Sequence, residues 1–217
     1  MTSNFILTGP PGTGKSELLS ATVERHSQLR WRGFISASII ENGERVGWAF
    51  KGINSAQGVL AHVDLTSESR MGRYGIDLNL FASIVDAELD PERSADAYVI
   101  DEVGLISAMY PPFDGLFATC LDSETSVVAI VREKSTEILE RYGTRSDTEI
   151  VHIDTPDIDS AMSRLKHWMN GMNGMNGMTN NIRNDVQTGD VMALISEMRG
   201  HIRAGGQKFT RDEMNER

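Results

Sequence analysis

The stretch Gly9-Pro10-Pro11-Gly12-Thr13-Gly14-Lys15-Ser16 decides how the rest of the chain is read. It satisfies the pattern G-x-x-x-x-G-K-[ST], and it stands where that pattern carries meaning. Asn4 to Thr8 before it reads as a short buried strand. Lys15 to about Gln28 after it reads as a helix, with Leu18, Leu19, Thr22, Val23 and His26 at helical spacing. Glycines at this junction let successive backbone N–H groups turn inward on phosphate oxygens, and the helix N-terminus adds a dipole favourable to anions. Lys15 is then placed to bridge β- and γ-phosphates and the Ser16 hydroxyl to ligand Mg2+, a hard cation that prefers oxygen. Gly9, Pro10, Pro11, Gly12, Thr13, Gly14, Lys15, Ser16 and Glu17 form the expected nucleotide-binding set.

Working outward, the next chemical signal is Tyr98-Val99-Ile100-Asp101-Glu102. Here the apolar run Ala97 to Ile100 delivers two acids at the carboxyl end of a strand, where ligands bind in open α/β sheets. Asp101 is expected to share the metal with Ser16. Glu102 is one residue further on, placed to orient or deprotonate an attacking water. An isolated Asp-Glu pair reads more simply as a strand end capping a turn, and it is the loop upstream that changes the reading. Arg70 and Arg73 lie in the polar stretch Thr66 to Arg73, read as a loop, and offer a cation for charge developing on the γ-phosphoryl oxygens.

Between these signals the chain alternates. Gly33 to Ile40 and Arg45 to Gly52 flank Asn42-Gly43, a hairpin signature. A short strand is expected at Val59 to Asp64, and a helix capped by Asp77 carries Phe81, Ile84 and Val85 on one face. Further helix faces recur at Phe113, Leu116, Phe117, Cys120 and Leu121 and at Ile138, Leu139 and Tyr142. Ser126 to Val131 and Glu149 to Ile153 read as strands. Helices alternating with strands predict an α/β fold whose sheet is mainly parallel and covered on both faces. A last helix starts at Thr155-Pro156, with Ile158, Met162, Leu165 and Trp168 or Met169 as its stripe.

Composition limits the partners. A net charge of -10 and a sequence pI near 5.0 oppose general attraction to nucleic acid or to an anionic membrane. No apolar run approaches the roughly 20 residues of a membrane span. Cys120 is the single cysteine, which fits a reducing cytoplasm. The five histidines lack metal-ligand spacing. The expected organisation is a nucleotide-binding domain over 1–168, a Met/Asn/Gly-rich linker over 169–185, an amphipathic helix over 186–204 and a polar tail over 205–217. That helix, striped by Val191, Leu194, Ile195, Met198 and Ile202, is expected to pack on its own domain or on a second copy.

In order along the chain, the loop itself, Gly33-Phe34 leading to Asn42-Gly43-Glu44-Arg45-Val46-Gly47-Trp48, Arg70-Met71-Gly72-Arg73-Tyr74-Gly75-Ile76-Asp77, and Val99-Ile100-Asp101-Glu102-Val103-Gly104 resemble the THEP1 family of small nucleoside triphosphatases, called cancer-related nucleoside-triphosphatases in animals. The resemblance runs to about Trp168. It implies a RecA-like, three-layer P-loop fold of the additional-strand type and slow hydrolysis of several NTPs, ATP among them, to NDP and phosphate. It also implies a functional role for Arg70, which falls on the family's Arg-x-Gly-x-Tyr segment. The family continues its acidic strand with Gly-Lys-Met-Glu, whereas this chain has Gly104-Leu105-Ile106-Ser107, without the charged pair. From the residues alone, a small-molecule or nucleotide kinase and a nucleotide-gated binding protein stand as alternatives, since the same cradle serves all three.

Overall fold

The computed structural model describes residues 3–154 and 158–175. One nine-stranded sheet runs through it, in the order β5-β6-β4-β3-β2-β7-β8-β1-β9. The strands are β1 (Asn4–Thr8), β2 (Trp31–Glu41), β3 (Glu44–Gly52), β4 (Gln57–His62), β5 (Arg70–Met71), β6 (Tyr74–Ile76), β7 (Ala97–Val103), β8 (Ser126–Val131) and β9 (Thr148–His152). Helices α1 (Lys15–Arg25), α2 (Leu78–Glu88), α3 (Pro112–Asp122), α4 (Thr136–Gly143) and α5 (Ile158–Met175) alternate with them.

β1 shows how the layers arise. Side chains alternate across a strand, so Ile6 goes to one face while Phe5 and Leu7 go to the other. Ile6 joins Phe34, Phe81, Ile100, Phe113 and Phe117 in the core under α2, α3 and α4. Phe5 and Leu7 join Leu18, Leu19, Val99, Val128, Leu165 and Trp168 under α1 and α5. Both faces are therefore covered, and β1 reads as a continuous apolar run, as a strand buried on both sides must.

The sheet is mixed rather than mainly parallel. β2, β7, β8, β1 and β9 pair in parallel, but β2–β3, β3–β4, β4–β6 and β5–β6 are antiparallel. The cause is local. Asn42 and Gly43 both take positive φ, 50° and 83°, so the chain doubles back in a two-residue turn where a parallel sheet needs a crossover helix. The following strands add edge to edge on the same side. Part of the stretch read as a loop belongs to this extension: Met71 pairs with Tyr74 across the turn Gly72-Arg73.

Two stretches at the other end also differ from expectation. α5 continues to Met175, so the first residues of the repeat read as a linker are helical. Met169, at the start of that repeat, is 1% exposed and packs in the core with Leu165 and Trp168. The amphipathic helix expected over 186–204 and the tail over 205–217 lie outside the described residues.

Candidate functional site

The loop grows directly out of β1 and into α1. Gly9 leaves the strand at φ 134°, and a Cβ there would stand 2.2 Å from the Ile153 carbonyl oxygen, a contact only glycine avoids. Gly14 caps α1 at φ 84° with no side-chain cap, which leaves the first-turn N–H groups to an anion. Thr13 Oγ1 donates to the Pro10 carbonyl at 2.9 Å and closes the loop on itself. Lys15 Nζ lies inside that curve, donating to the carbonyls of Gly9 at 2.9 Å and Pro10 at 2.6 Å and to Thr13 Oγ1 at 3.1 Å. Burial lowers the Lys15 pKa, opposed by the charges of Glu102, Asp101, Glu133 and Glu17.

β8 lies between β1 and β7, so the loop and the acidic strand end are not adjacent strands but next-nearest ones. Asp101, at 1% exposure, stands at the carboxyl end of β7. Its Oδ2 accepts hydrogen bonds from Ser36 N at 3.2 Å and Ser36 Oγ at 3.0 Å. Burial pushes its carboxyl up to about 7, tempered by hydrogen bonding from Ser16 and Ser36 and raised further by Glu102. Ser16, the second residue of α1, and Asp101, near the end of β7, are the two residues expected to share a metal. Glu102 points to the exposed side of the strand end. Its carboxyl is raised by desolvation and drawn back by Lys15, Arg132 and Arg45.

The arrangement offers oxygen donors at Ser16 and Asp101 in an acidic neighbourhood, which suits a hard divalent cation. Among the described residues no group of three or more His, Cys, Asp or Glu side chains converges into a metal cage. A cation held by a hydroxyl and one carboxylate, with phosphate oxygens completing its shell, is the chemistry these donors fit.

Arg70, the remaining expected site residue, lies outside both the loop and the acidic strand end. It stands on β5, the outermost strand, with β6, β4, β3, β2, β7 and β8 between it and β1. Its exposed guanidinium donates to the Arg73 carbonyl at 2.9 Å, a bond internal to its own turn.

A family model described as NTPase matches residues 4–165. The chain belongs to this NTPase family. Nucleoside-triphosphatase THEP1 of Thermotoga sp. (strain RQ2) is 28% identical over 164 residues, covering 74% of this chain and 92% of that relative. The cancer-related nucleoside-triphosphatase homolog of Mus musculus is 25% identical over 178 residues, covering 75% of this chain and 94% of that one. The crystal structure of THEP1 from Aquifex aeolicus superposes with a TM-score of 0.64 at 20% identity, over 75% of this chain and 96% of that one. At that identity the superposition establishes the shared P-loop fold.

Within this NTPase family member, sequence reasoning missed Ser36. β2 and β7 run parallel with Trp31 opposite Ala97 and Phe34 opposite Ile100, so Ser36 comes level with the acidic strand end. Ser36 and Ser38 both interrupt the apolar residues of Gly33 to Ile40, and only the pairing with β7 singles out Ser36. The segment Gly104-Leu105-Ile106-Ser107 has a structural use of its own. Ser107 Oγ accepts from Gly104 N at 2.8 Å and donates to the Gly104 carbonyl at 3.0 Å, folding the chain into the 3-10 turn Ser107–Met109. Among the described residues no helix is long and apolar enough to cross a membrane.

Proposed function

We propose that this chain hydrolyses nucleoside 5'-triphosphates, ATP among them, to the diphosphate and phosphate, with Mg2+. Membership of the NTPase family supports the reaction class. What supports carrying it to residues is placement: Lys15 and Ser16 follow β1 at the start of α1, and Asp101 and Glu102 lie at the same carboxyl edge, near the end of β7. Gly9 to Ser16, with Glu17 behind them, cradle the phosphates through backbone N–H groups, and Lys15 turns from its loop carbonyls to the β- and γ-phosphates. Ser16 and Asp101 would hold Mg2+, which when bound would supply charge neutralisation on the phosphates.

Glu102 takes the proton of the attacking water. The water oxygen bonds to the γ-phosphorus, the bond to the bridging oxygen breaks, and its electron pair leaves on the diphosphate. A carboxyl raised by desolvation toward the working pH is a better base for this step than an ordinary glutamate. The single strand between β1 and β7 supports reading the architecture as RecA-like and of the additional-strand type. The lone buried thiol of Cys120 accords with a cytoplasmic setting.

The test is phosphate release from each of the four common NTPs, with Mg2+ and with chelator. Release that requires Mg2+ and disappears in Lys15→Ala is the expected result. Nucleotide bound for hours with no phosphate formed would sink the hydrolytic reading.

A further inference from the structure

Arg132 is the first residue after β8, the strand set between the loop strand and the acidic strand. Val131 pairs with Val103, and Arg132 N donates to the Val103 carbonyl at 2.9 Å, so the backbone of Arg132 is fixed beside the end of β7. Gly104 marks how close the two chains run. A Cβ at that glycine would stand 3.1 Å from Arg132 Cβ and 3.4 Å from both Arg132 Cδ and Glu102 Oε1. The arginine stem and the Glu102 carboxylate thus flank one glycine, at the carboxyl edge where the loop also ends.

The neighbouring Glu133 faces His152, with Oε1 3.6 Å from Nε2, and Arg132 enters none of the side-chain hydrogen bonds or ion pairs among the described residues. Lys15 and Arg45 are the other cations facing Glu102; Lys15 is held by the loop carbonyls, and the Arg45 guanidinium lies over the Trp48 ring at 5.4 Å. Arg70 is bound into its own turn, as described above. A half-buried arginine with unspent donors, anchored by a ladder hydrogen bond at the ligand-binding edge of a sheet, is arranged to meet an anion.

We propose that Arg132 is a catalytic residue of the NTPase reaction, donating to the γ-phosphoryl oxygens from within the same chain. The inference rests on the reading under Proposed function. As water bonds to the γ-phosphorus and the bridging P–O bond breaks, charge accumulates on the phosphoryl and bridging oxygens, and the water's proton passes to Glu102. Arg132, on the Glu102 side of the site, stabilises that charge, while Lys15 serves from the loop side. The diphosphate lacks the group Arg132 contacts, so Arg132 also favours triphosphate over diphosphate in binding.

The experiment compares the full chain with Arg132→Ala and Arg132→Lys, each checked for an unchanged melting temperature. Phosphate release at saturating ATP and Mg2+ is read beside the affinities for ADP and a non-hydrolysable ATP analogue. Arg132→Ala is expected to lower kcat by about 100-fold or more, the range for removing one donor to a developing oxyanion, with ADP affinity unchanged. Arg132→Lys recovers part of the loss, because it returns the charge without the planar fork. A kcat within threefold of wild type in Arg132→Ala overturns the assignment. If the wild-type chain releases no phosphate, the hydrolytic reading falls by itself, and the analogue-to-ADP affinity ratio decides Arg132. A ratio reduced in Arg132→Ala upholds its contact with the γ-phosphate, and an equal ratio overturns it.

Discussion

Ser36 Oγ donates to Asp101 Oδ2 at 3.0 Å, with Ser36 N adding a second hydrogen bond at 3.2 Å, so a serine on β2 holds the carboxylate at the end of β7. Removing the hydroxyl leaves the buried carboxylate with fewer donors and less constraint on its orientation. Groups that orient a metal-binding carboxylate commonly matter by about 10- to 100-fold in metal affinity. Ser36→Ala is accordingly expected to raise the Mg2+ concentration needed for half-maximal activity into that range, with kcat at saturating Mg2+ changed less. A Mg2+ titration checks it, and an unshifted midpoint would remove Ser36 from the site.

The Asp101 carboxyl gives the metal-free protein a pH signature. Its folded pKa is about 7 against an ordinary 3.8, so the folded state holds an extra proton between those values. The stabilisation from the neutral carboxyl is fully present below 3.8 and is lost as pH rises through about 7. Asp101→Asn keeps the neutral form at every pH. In chelator at pH 8 it is expected to be more stable than wild type by about 1 to 3 kcal/mol, at roughly 1.4 kcal/mol per pKa unit with allowance for relaxation around the site. At pH 4 the advantage should vanish. Denaturant unfolding at the two pH values decides the matter, and a pH-independent difference would count against a titrating Asp101.

Lys15 and Glu102 should separate binding from chemistry. Lys15→Ala removes charged hydrogen bonds to phosphate, worth about 1.5 to 3 kcal/mol, and is expected to weaken triphosphate binding by at least about tenfold. Glu102→Gln keeps the shape and removes the base, lowering kcat by about 100- to 10,000-fold with nucleotide affinity retained. Calorimetric binding beside single-turnover hydrolysis distinguishes the two. A Glu102→Gln variant that turned over normally would take the base away from this residue.

Gly9→Ala tests the loop's junction with the core. A methyl there meets the Ile153 carbonyl at 2.2 Å and sits on a backbone at φ 134°. Ile153 is itself fixed, because its N–H donates to the Thr8 carbonyl at 2.8 Å. The substitution is expected to cost at least about 2 kcal/mol and to abolish nucleotide binding. A melting temperature within about a degree of wild type would show that the junction yields more easily than these contacts imply.

What was legible in the sequence was whatever is decided locally. The loop from Gly9 to Ser16, the Asn42-Gly43 turn and the Asp77 cap each depend on a few adjacent residues, and each stands where expected, with Asp77 Oδ1 accepting from Leu80 N at 2.9 Å. What escaped depends on which strands become neighbours. Ser36 reaches Asp101 because β2 lies against β7, and Arg132 flanks Gly104 together with Glu102 because β8 is inserted beside the acidic strand. Neither adjacency is encoded within a few residues of the side chain concerned. Around Arg70 the polar stretch read as a loop pairs in part as a short edge strand, which again depends on a neighbouring strand. At the repeat from Met169 composition gave no sign of the helix, which runs on to Met175 with Met169 buried beside Leu165 and Trp168.

The insertion of β8 also sets a ruler. Neighbouring strands keep about 4.8 Å between them whatever their side chains, so the reach from loop strand to acidic strand comes only in multiples of that spacing. One intervening strand gives a span of roughly 10 Å between β1 and β7. On the hydrolytic reading proposed above, that backbone spacing is what separates a triphosphate seated at the end of the first strand from Glu102 at the end of the second.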